Sequence, residues 1–383
     1  MADTRRRRSA RRVALVAGLV VASSVIASSA AHLRVPAPTG AFAVGKVVRM
    51  LVDSARPASI AATAPGARHV RLVAWYPALT DAGAPAPYVS GLSSIADGLV
   101  ASGQLTRVET EGLRLVADPA RAEAEAAIGS LPVILLSPGN ATNVEFYASL
   151  AEDLASHGFA VIGLDHPYQV AAVDLGDLVA IYAGDPPLAQ APAVTMANIR
   201  ERVADIRFVL DRLQVDAAGL TPLNGRLDLT RIGVMGHSNG GIASAEACVD
   251  PRLKACANVD GQLAGGPFSA SADPSAPTKP FLFLTKETVL HPALAALFEA
   301  GGRGVFRVVV PGATHVEFTD GPLFHPRATP LPSSADEVIA VARGFVLAFF
   351  DHELRGAPRT VFSKVVAPVD VQVFVYPLIR QTN

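Results

Sequence analysis

The sequence predicts an α/β protein with a mainly parallel central sheet and helices on both faces. Three observations carry this. From residue 132 onward, short continuous apolar runs alternate with helical stretches. Several of those runs end in glycine- or proline-bearing turns. The apolar fraction is 50% against 17% charged, enough for a large core in one domain of this length.

Val133 to Leu136 is the first such run, the signature of a buried parallel strand. Glu145 to His157 reads as a helix, with Phe146, Leu150 and Leu154 on one face and Gly158 as its stop. Phe159 to Leu164 is the next strand. Residues 167–194 are rich in Pro, Ala and Gly and are expected to form a mobile cap loop. The following helix carries Ile199, Val203, Ile206, Leu210 and Leu213 at helical spacing. Strands are expected at 231–235, 254–259, 281–284 and 305–310, a helix at 241–249, and a closing helix from Ala335 to Phe350. Such alternation implies parallel strands joined by crossover helices.

Ahead of this series lie two β-rich runs, 45–52 and 69–76, the second ending at Pro77. Residues 92–128 are rich in Ala, Leu, Glu and Arg and are expected to form surface helices. The domain is thus expected to span 45–383, with an Ala/Pro-rich linker at 32–44.

The first 31 residues have their own pattern. Six arginines crowd the first twelve residues, and Val13 to Ala31 carries no charge and closes on small residues. This is the layout of a signal peptide or of a retained membrane anchor. Arg11-Arg12 is compatible with twin-arginine export. Either reading places the folded domain outside the cytoplasm, secreted, periplasmic or membrane-anchored. Without residues 1–31 the chain holds 27 basic and 33 acidic residues, a net charge of −6. That balance gives no basic face for nucleic acid. The two cysteines, Cys248 and Cys256, lack metal-ligand neighbours. Export permits a disulfide between them, but two small buried apolar side chains are the favoured reading.

The chemistry is concentrated after the strand Arg231 to Met235. It runs into Gly236-His237-Ser238-Asn239-Gly240-Gly241 and then into a helix. G-x-S-x-G between a strand and a helix is a nucleophile elbow: small residues let strand and helix close up and lift Ser238 above the sheet edge. The helix N-terminus behind it favours developing negative charge. A serine hydroxyl needs a base. His315 follows the last strand of the series in Pro311-Gly312-Ala313-Thr314-His315, which fits the chain order Ser, acid, His.

Two carboxylates compete to orient His315. Asp260 ends a strand directly before Gly261, and Glu287 follows the next strand beyond Lys286. Both sit at carboxyl ends of strands, where open α/β sheets bind ligands. Asp260 is slightly favoured. An oxyanion needs two fixed N–H donors. The expected ones are the backbone N–H groups of Asn239, after the nucleophile, and of Asn140, in the loop Ser137-Pro138-Gly139-Asn140-Ala141. His166, just past a strand end, is either a pocket residue or a structural histidine.

On these residues the stretch from about 45 to 360 resembles the platelet-activating factor acetylhydrolase family of the plasma and isoform II type, and its bacterial dienelactone-hydrolase-like relatives. The pieces that carry it are Trp75-Tyr76-Pro77-Ala78, Pro132 to Asn140, Leu154-Ala-Ser-His-Gly-Phe-Ala-Val161, Gly236 to Gly241, and Asp260 with His315. The resemblance implies an α/β-hydrolase fold, an acid at Asp260, and a serine carboxylic-ester hydrolase acting on short-acyl small-molecule or lipid esters, with no metal or organic cofactor. It departs from the family where Pro138-Gly139 stands for the usual His-Gly, and its pocket residues do not carry over acetyl-phospholipid specificity. A lipase or cutinase-like polyester hydrolase is the second expectation. An exported non-catalytic binding protein on a hydrolase scaffold is the third.

Overall fold

The computed structural model describes residues 34–62, 65–187, 189–263, 279–300, 304–324 and 334–376. The expected signal or anchor segment, 1–31, lies outside them. Among the described residues, no helix is long and apolar enough to cross a membrane.

Twelve strands are found among the described residues: β1 (Ala43–Pro57), β2 (Ala67–Ala78), β3 (Arg121–Ala122), β4 (Leu131–Ser137), β5 (Ala160–Asp165), β6 (Ala172–Asp174), β7 (Val179–Ile181), β8 (Leu227–His237), β9 (Leu253–Val259), β10 (Phe281–Thr285), β11 (Val305–Val309) and β12 (Gln372–Tyr376). Ten of them form one sheet in the order β12-β11-β10-β9-β8-β4-β5-β2-β1-β3. Neighbours from β5 through β11 are parallel, whereas β2 pairs antiparallel with both β1 and β5, and β12 pairs antiparallel with β11. The central strands are apolar on both faces because both are covered. Val133, Ile134 and Leu135 in β4 are fully buried.

The helices are α1 (Leu92–Ala101), α2 (Arg107–Gly112), α3 (Ala148–Ser156), α4 (Ala191–Asp216), α5 (Asn239–Ala247), α6 (Pro292–Ala300), α7 (Gly321–Phe324) and α8 (Ala335–Arg355). They divide the core in two. On one face α1, α3 and α8 bury Leu99, Leu154 and Phe349 against the sheet. On the other, α4, α5 and α6 bury Ile206, Ile242 and Phe298. Each of these six helices thereby covers one sheet face with its apolar side.

Several expectations need correction. The linker expected at 32–44 is tied down at its end: Arg34 bridges to Ala117, and β1 begins at Ala43. The helix expected from Glu145 begins instead with a 3₁₀ turn, Val144–Tyr147, because the Val144 N–H is drawn to Asp165 Oδ1 at 2.7 Å. Gly158 stops the helix as expected, at φ 100°. Residues 92–128 do form α1 and α2, but they end in β3 and bury Ala120 and Ala126. The loop expected at 167–194 is a β6–β7 hairpin with Val170 to Val173 buried, and its last residues already belong to α4. Asn143 holds the hairpin, its Nδ2 donating to the Ala172 carbonyl at 2.7 Å. Cys248 and Cys256 form a disulfide with Cα atoms 6.0 Å apart, which corrects the favoured reading of two unpaired apolar residues. The cause is geometric: the end of α5 packs on β9, so the two side chains meet on the same sheet face. Beyond the closing helix, β12 is a strand the sequence reading passed over.

Candidate active site

Chain order and sheet order diverge at β4. The chain moves from β4 to β5 on one side, and from β8 outward through β11 on the other. The crevice at the carboxyl ends of β4 and β8 is the topological switch point of the sheet, where ligands bind in this architecture.

At the end of β8 the backbone turns sharply. Ser238 has φ 55° and ψ −125°, a conformation that a non-glycine residue adopts only where its surroundings enforce it. Those surroundings are glycines. A Cβ on Gly236 would lie 2.2 Å from the Gly240 carbonyl oxygen, and one on Gly240 would lie 2.0 Å from that of Ser137. The Ser238 N–H donates to Val259 O at 2.9 Å, which ties the turn to β9. Asn239 opens α5, so its N–H has no acceptor inside the helix.

Asp260 follows β9 in a second forced turn, at φ 51°. Asn258 closes this turn by accepting the Gly261 N–H at 2.7 Å and donating to the Gly261 carbonyl at 3.2 Å. Gly261 has to be glycine, since a Cβ there would stand 2.4 Å from the Ser238 carbonyl oxygen. So held, Asp260 Oδ2 meets His315 Nδ1 at 2.6 Å. Its other oxygen accepts from Thr285 Oγ1 at 2.9 Å and from the Lys286 N–H at 3.1 Å. Burial alone would raise the carboxyl pKa. The hydrogen bond and charge of His315 outweigh it, and Asp260 lies below the usual carboxylate range. His315 stands at the start of a 3₁₀ turn, His315–Phe318, fixed by a Thr314/Glu317 capping box, and stays partly exposed.

The loop after β4 completes the site. The buried Arg202 guanidinium, on α4, donates to Pro138 O at 2.6 Å and to Asn140 Oδ1 at 3.0 Å. Gly139 N–H donates to Tyr147 Oη at 3.0 Å, and Ala141 N–H to Gln169 O at 2.9 Å. Among the described residues the N–H groups of Asn140 and Asn239 are engaged by no acceptor. Ser238, Asp260, His315, Asn140 and Asn239 all line one cavity of about 520 Å³. A second, more apolar cavity of about 270 Å³, lined by Leu99, Leu105, Phe146 and Ala171, shares Gln104, Thr142, Val316 and Thr319 with it. Among the described residues no group of three His, Cys, Asp or Glu side chains is placed to hold a metal ion.

Two candidate residues fall elsewhere. Glu287 reaches the cavity rim, but its carboxylate pairs with Lys286 rather than with His315. His166 is not a pocket residue. It is fully buried beneath the Ser137–Ala141 loop, with Nε2 2.9 Å from Ser137 Oγ and Nδ1 2.7 Å from Asp205 Oδ2. Burial lowers its pKa to about 4, so it is neutral at neutral pH. The Asp205 carboxylate is in turn held by Arg68 at 2.6 Å. The sequence reading missed Arg202 and Tyr147. Arg202 had a signal: it stands three residues after Ile199 on the buried face of α4, and a charge on an apolar stripe needs partners. Tyr147 had none, since only the folded chain brings it to Gly139.

Comparison with known proteins bears on the fold and on the class of reaction. The family profile for platelet-activating factor acetylhydrolase, isoform II, matches residues 27–177. A probable 1-alkyl-2-acetylglycerophosphocholine esterase of Arthroderma benhamiae is 32% identical over 155 residues, 40% of this chain and 37% of that protein. The 20-hydroxy-prefusarin hydrolase of Gibberella moniliformis is 31% identical over 136 residues, 35% of this chain and 27% of its own. The chain thus spans only 37% and 27% of the lengths of these two curated relatives. The structure of a ferulic acid esterase from Streptomyces cinnamoneus superposes with a TM-score of 0.70 at 30% identity, covering 90% of this chain and 99% of that one. On the fold and this structural match, the chain belongs to the esterases of the α/β-hydrolase fold, and over residues 27–177 it is similar to the platelet-activating factor acetylhydrolase, isoform II, family.

Proposed function

We propose that the protein is a serine hydrolase of carboxylic esters, working through an acyl-enzyme on Ser238. The observation that carries this is the 2.6 Å His315–Asp260 hydrogen bond in the same cavity as Ser238 on its strained elbow. Asp260 binds Nδ1, which leaves Nε2 as the basic nitrogen. Ser238 attacks the ester carbonyl as His315 takes its proton. The Asn140 and Asn239 N–H groups hold the oxyanion, the alcohol departs with the proton from His315, and water activated by His315 releases the acid.

The site's shape supports a small ester. Two joined compartments, of about 520 and 270 Å³, suit a substrate with one polar and one apolar part more than an extended polymer. The names of the relatives, an acetylglycerophosphocholine esterase and a ferulic acid esterase, support ester hydrolysis without choosing between their substrates.

The test is hydrolysis of p-nitrophenyl acetate through octanoate by the wild type and Ser238→Ala, with fluorophosphonate labelling of both. We expect activity that falls by several orders of magnitude in the variant, and labelling at Ser238 alone. Preference for long chains would favour the lipase reading. Equal rates with no labelling would leave a binding protein.

The export reading is part of the same proposal. The basic and apolar N-terminus and the Cys248–Cys256 disulfide both support an oxidising compartment. Sequencing the N-terminus of the exported protein tells removal from retention, and recovery of the active protein only in the cytoplasm would overturn export.

A further inference from the structure

Beside the reacting groups runs a chain of hydrogen bonds that the mechanism above does not use. Gly139 N–H donates to Tyr147 Oη at 3.0 Å. That oxygen lies 2.8 Å from His237 Nδ1. His237 Nε2 lies 2.9 Å from the main-chain oxygen of His315. Both ends are peptide groups, and with a neutral imidazole these fix the direction of every proton between them. A peptide N–H can only donate and a carbonyl can only accept. Nε2 therefore carries the ring proton and gives it to His315 O, Nδ1 is the bare acceptor, and the Tyr147 hydroxyl donates to it.

We propose that Tyr147 and His237 are positioning residues for ester hydrolysis, forming one proton-ordered chain that locks the oxyanion loop to the backbone of the catalytic base. This rests on the ester-hydrolase reading. Asn140, the oxyanion donor of that reading, directly follows Gly139. The carbonyl that His237 grips belongs to the base itself. One buried pair of side chains thus sets the distance between the two halves of the machinery.

The surroundings are built for this. A Cβ on Gly139 would meet His237 Nδ1 at 3.1 Å, Ser238 Cβ at 3.3 Å and Tyr147 Oη at 3.3 Å, so any side chain there would press the pair away from the loop by a few tenths of an ångström. His237 and Tyr147 are both buried. The groups facing His237 are Tyr147, His315, Phe318 and, through its charge, Asp260. Burial, then the nearby His315, pushes the His237 pKa down to about 3 despite Asp260 and the bond to His315 O. Neutrality matters because the two imidazole rings are 4.5 Å apart. A cation at His237 would oppose the imidazolium that His315 becomes during the reaction.

The experiment compares Tyr147→Phe, His237→Phe, His237→Gln and the double Phe variant with the wild type. Its readouts are kcat and KM on p-nitrophenyl esters, and ¹⁵N chemical shifts of histidine-labelled wild-type protein. We expect kcat to fall about tenfold in Tyr147→Phe and between tenfold and 100-fold in His237→Phe, with KM within twofold, as for a misplaced catalytic group. The double variant should be no worse than His237→Phe, because the chain is broken once. His237→Gln, whose amide can still donate to His315 O, should recover severalfold. The wild-type spectrum should show His237 protonated on Nε2 alone from pH 7 to pH 5. Rates within twofold of wild type in both single variants, simple multiplication of the two losses, or a proton on Nδ1 would each overturn the proposal. If His237→Phe does not fold, Tyr147→Phe, which removes one oxygen, and the spectrum decide. If the wild type neither hydrolyses esters nor labels at Ser238, the ester-hydrolase reading fails and the positioning role with it. A correct proton order beside such inactivity would mark the chain as structural.

Discussion

Asp260 and Glu287 show what a single residue's sequence context can and cannot say. Both are carboxylates past the end of a strand, and only Asp260 reaches His315. What separates them is backbone conformation: Asp260 sits at φ 51°, in a turn that Asn258 clasps and Gly261 permits. Asp260→Asn should keep the fold and lower kcat by about 10⁴, because the amide would favour the wrong imidazole tautomer. Single-turnover kinetics with a p-nitrophenyl ester measures this, and a loss below tenfold would reassign the acid. Ser238 and His315 were legible because motif and chain order point to one residue each. His166 was not, since its decisive partner, Asp205, stands 39 positions away on α4. Tyr147 lay hidden for the same reason.

Elements were legible where periodicity was unbroken, and blurred where tertiary contacts overrode it. Strands β4, β5 and β9 to β11 follow the continuous apolar runs closely, whereas β8 begins four residues ahead of its expected start, at Leu227. The 3₁₀ entry to α3 and the β6–β7 hairpin do not, because Asn143 and Asp165 draw those backbones to themselves. β12 had a signal of its own, the run of β-branched and aromatic residues from Val371 to Tyr376. The strand–turn–helix unit around Ser238 makes the sharpest demand. Gly240→Ala puts a Cβ 2.0 Å from Ser137 O, so either α5 or the Ser137–Asn140 loop has to move. We expect at least a 100-fold loss of kcat with retained circular dichroism, since displacement of about 1 Å suffices. Wild-type turnover in that variant would show the elbow to be more compliant than its contacts allow.

At the scale of the whole molecule, the site lies where the sheet's winding reverses, and buried charge ties the layers together. Asp320, fully buried, accepts from the Ser149 N–H at 3.0 Å and from Tyr88 Oη at 3.3 Å. Burial nevertheless pushes its pKa up to about 6. A carboxyl raised in the folded state gives stability that is full below its unfolded value, near 3.9, and is lost as pH rises through about 6. The two-unit gap corresponds to about 3 kcal/mol. Asp320→Asn lacks this titration, so its stability relative to wild type should improve by about that much between pH 4 and pH 7. Urea unfolding of both proteins across that range tests it, and a difference independent of pH would refute it.

The short β12 strand bears on how the folded chain stays apart from its neighbours. It covers β11, whose buried Val305, Phe306, Val308 and Val309 would otherwise stand at a bare rim of the sheet. An uncovered rim of that composition is a template for strand addition by another chain. Gln372–Tyr376 thus shift the open edge of the sheet from the buried β11 to a strand whose Val373 and Val375 are already partly in solvent. Loss of β12 would leave every group of the proposed reaction in place and bare the backbone edge of β11 to strand addition by another chain.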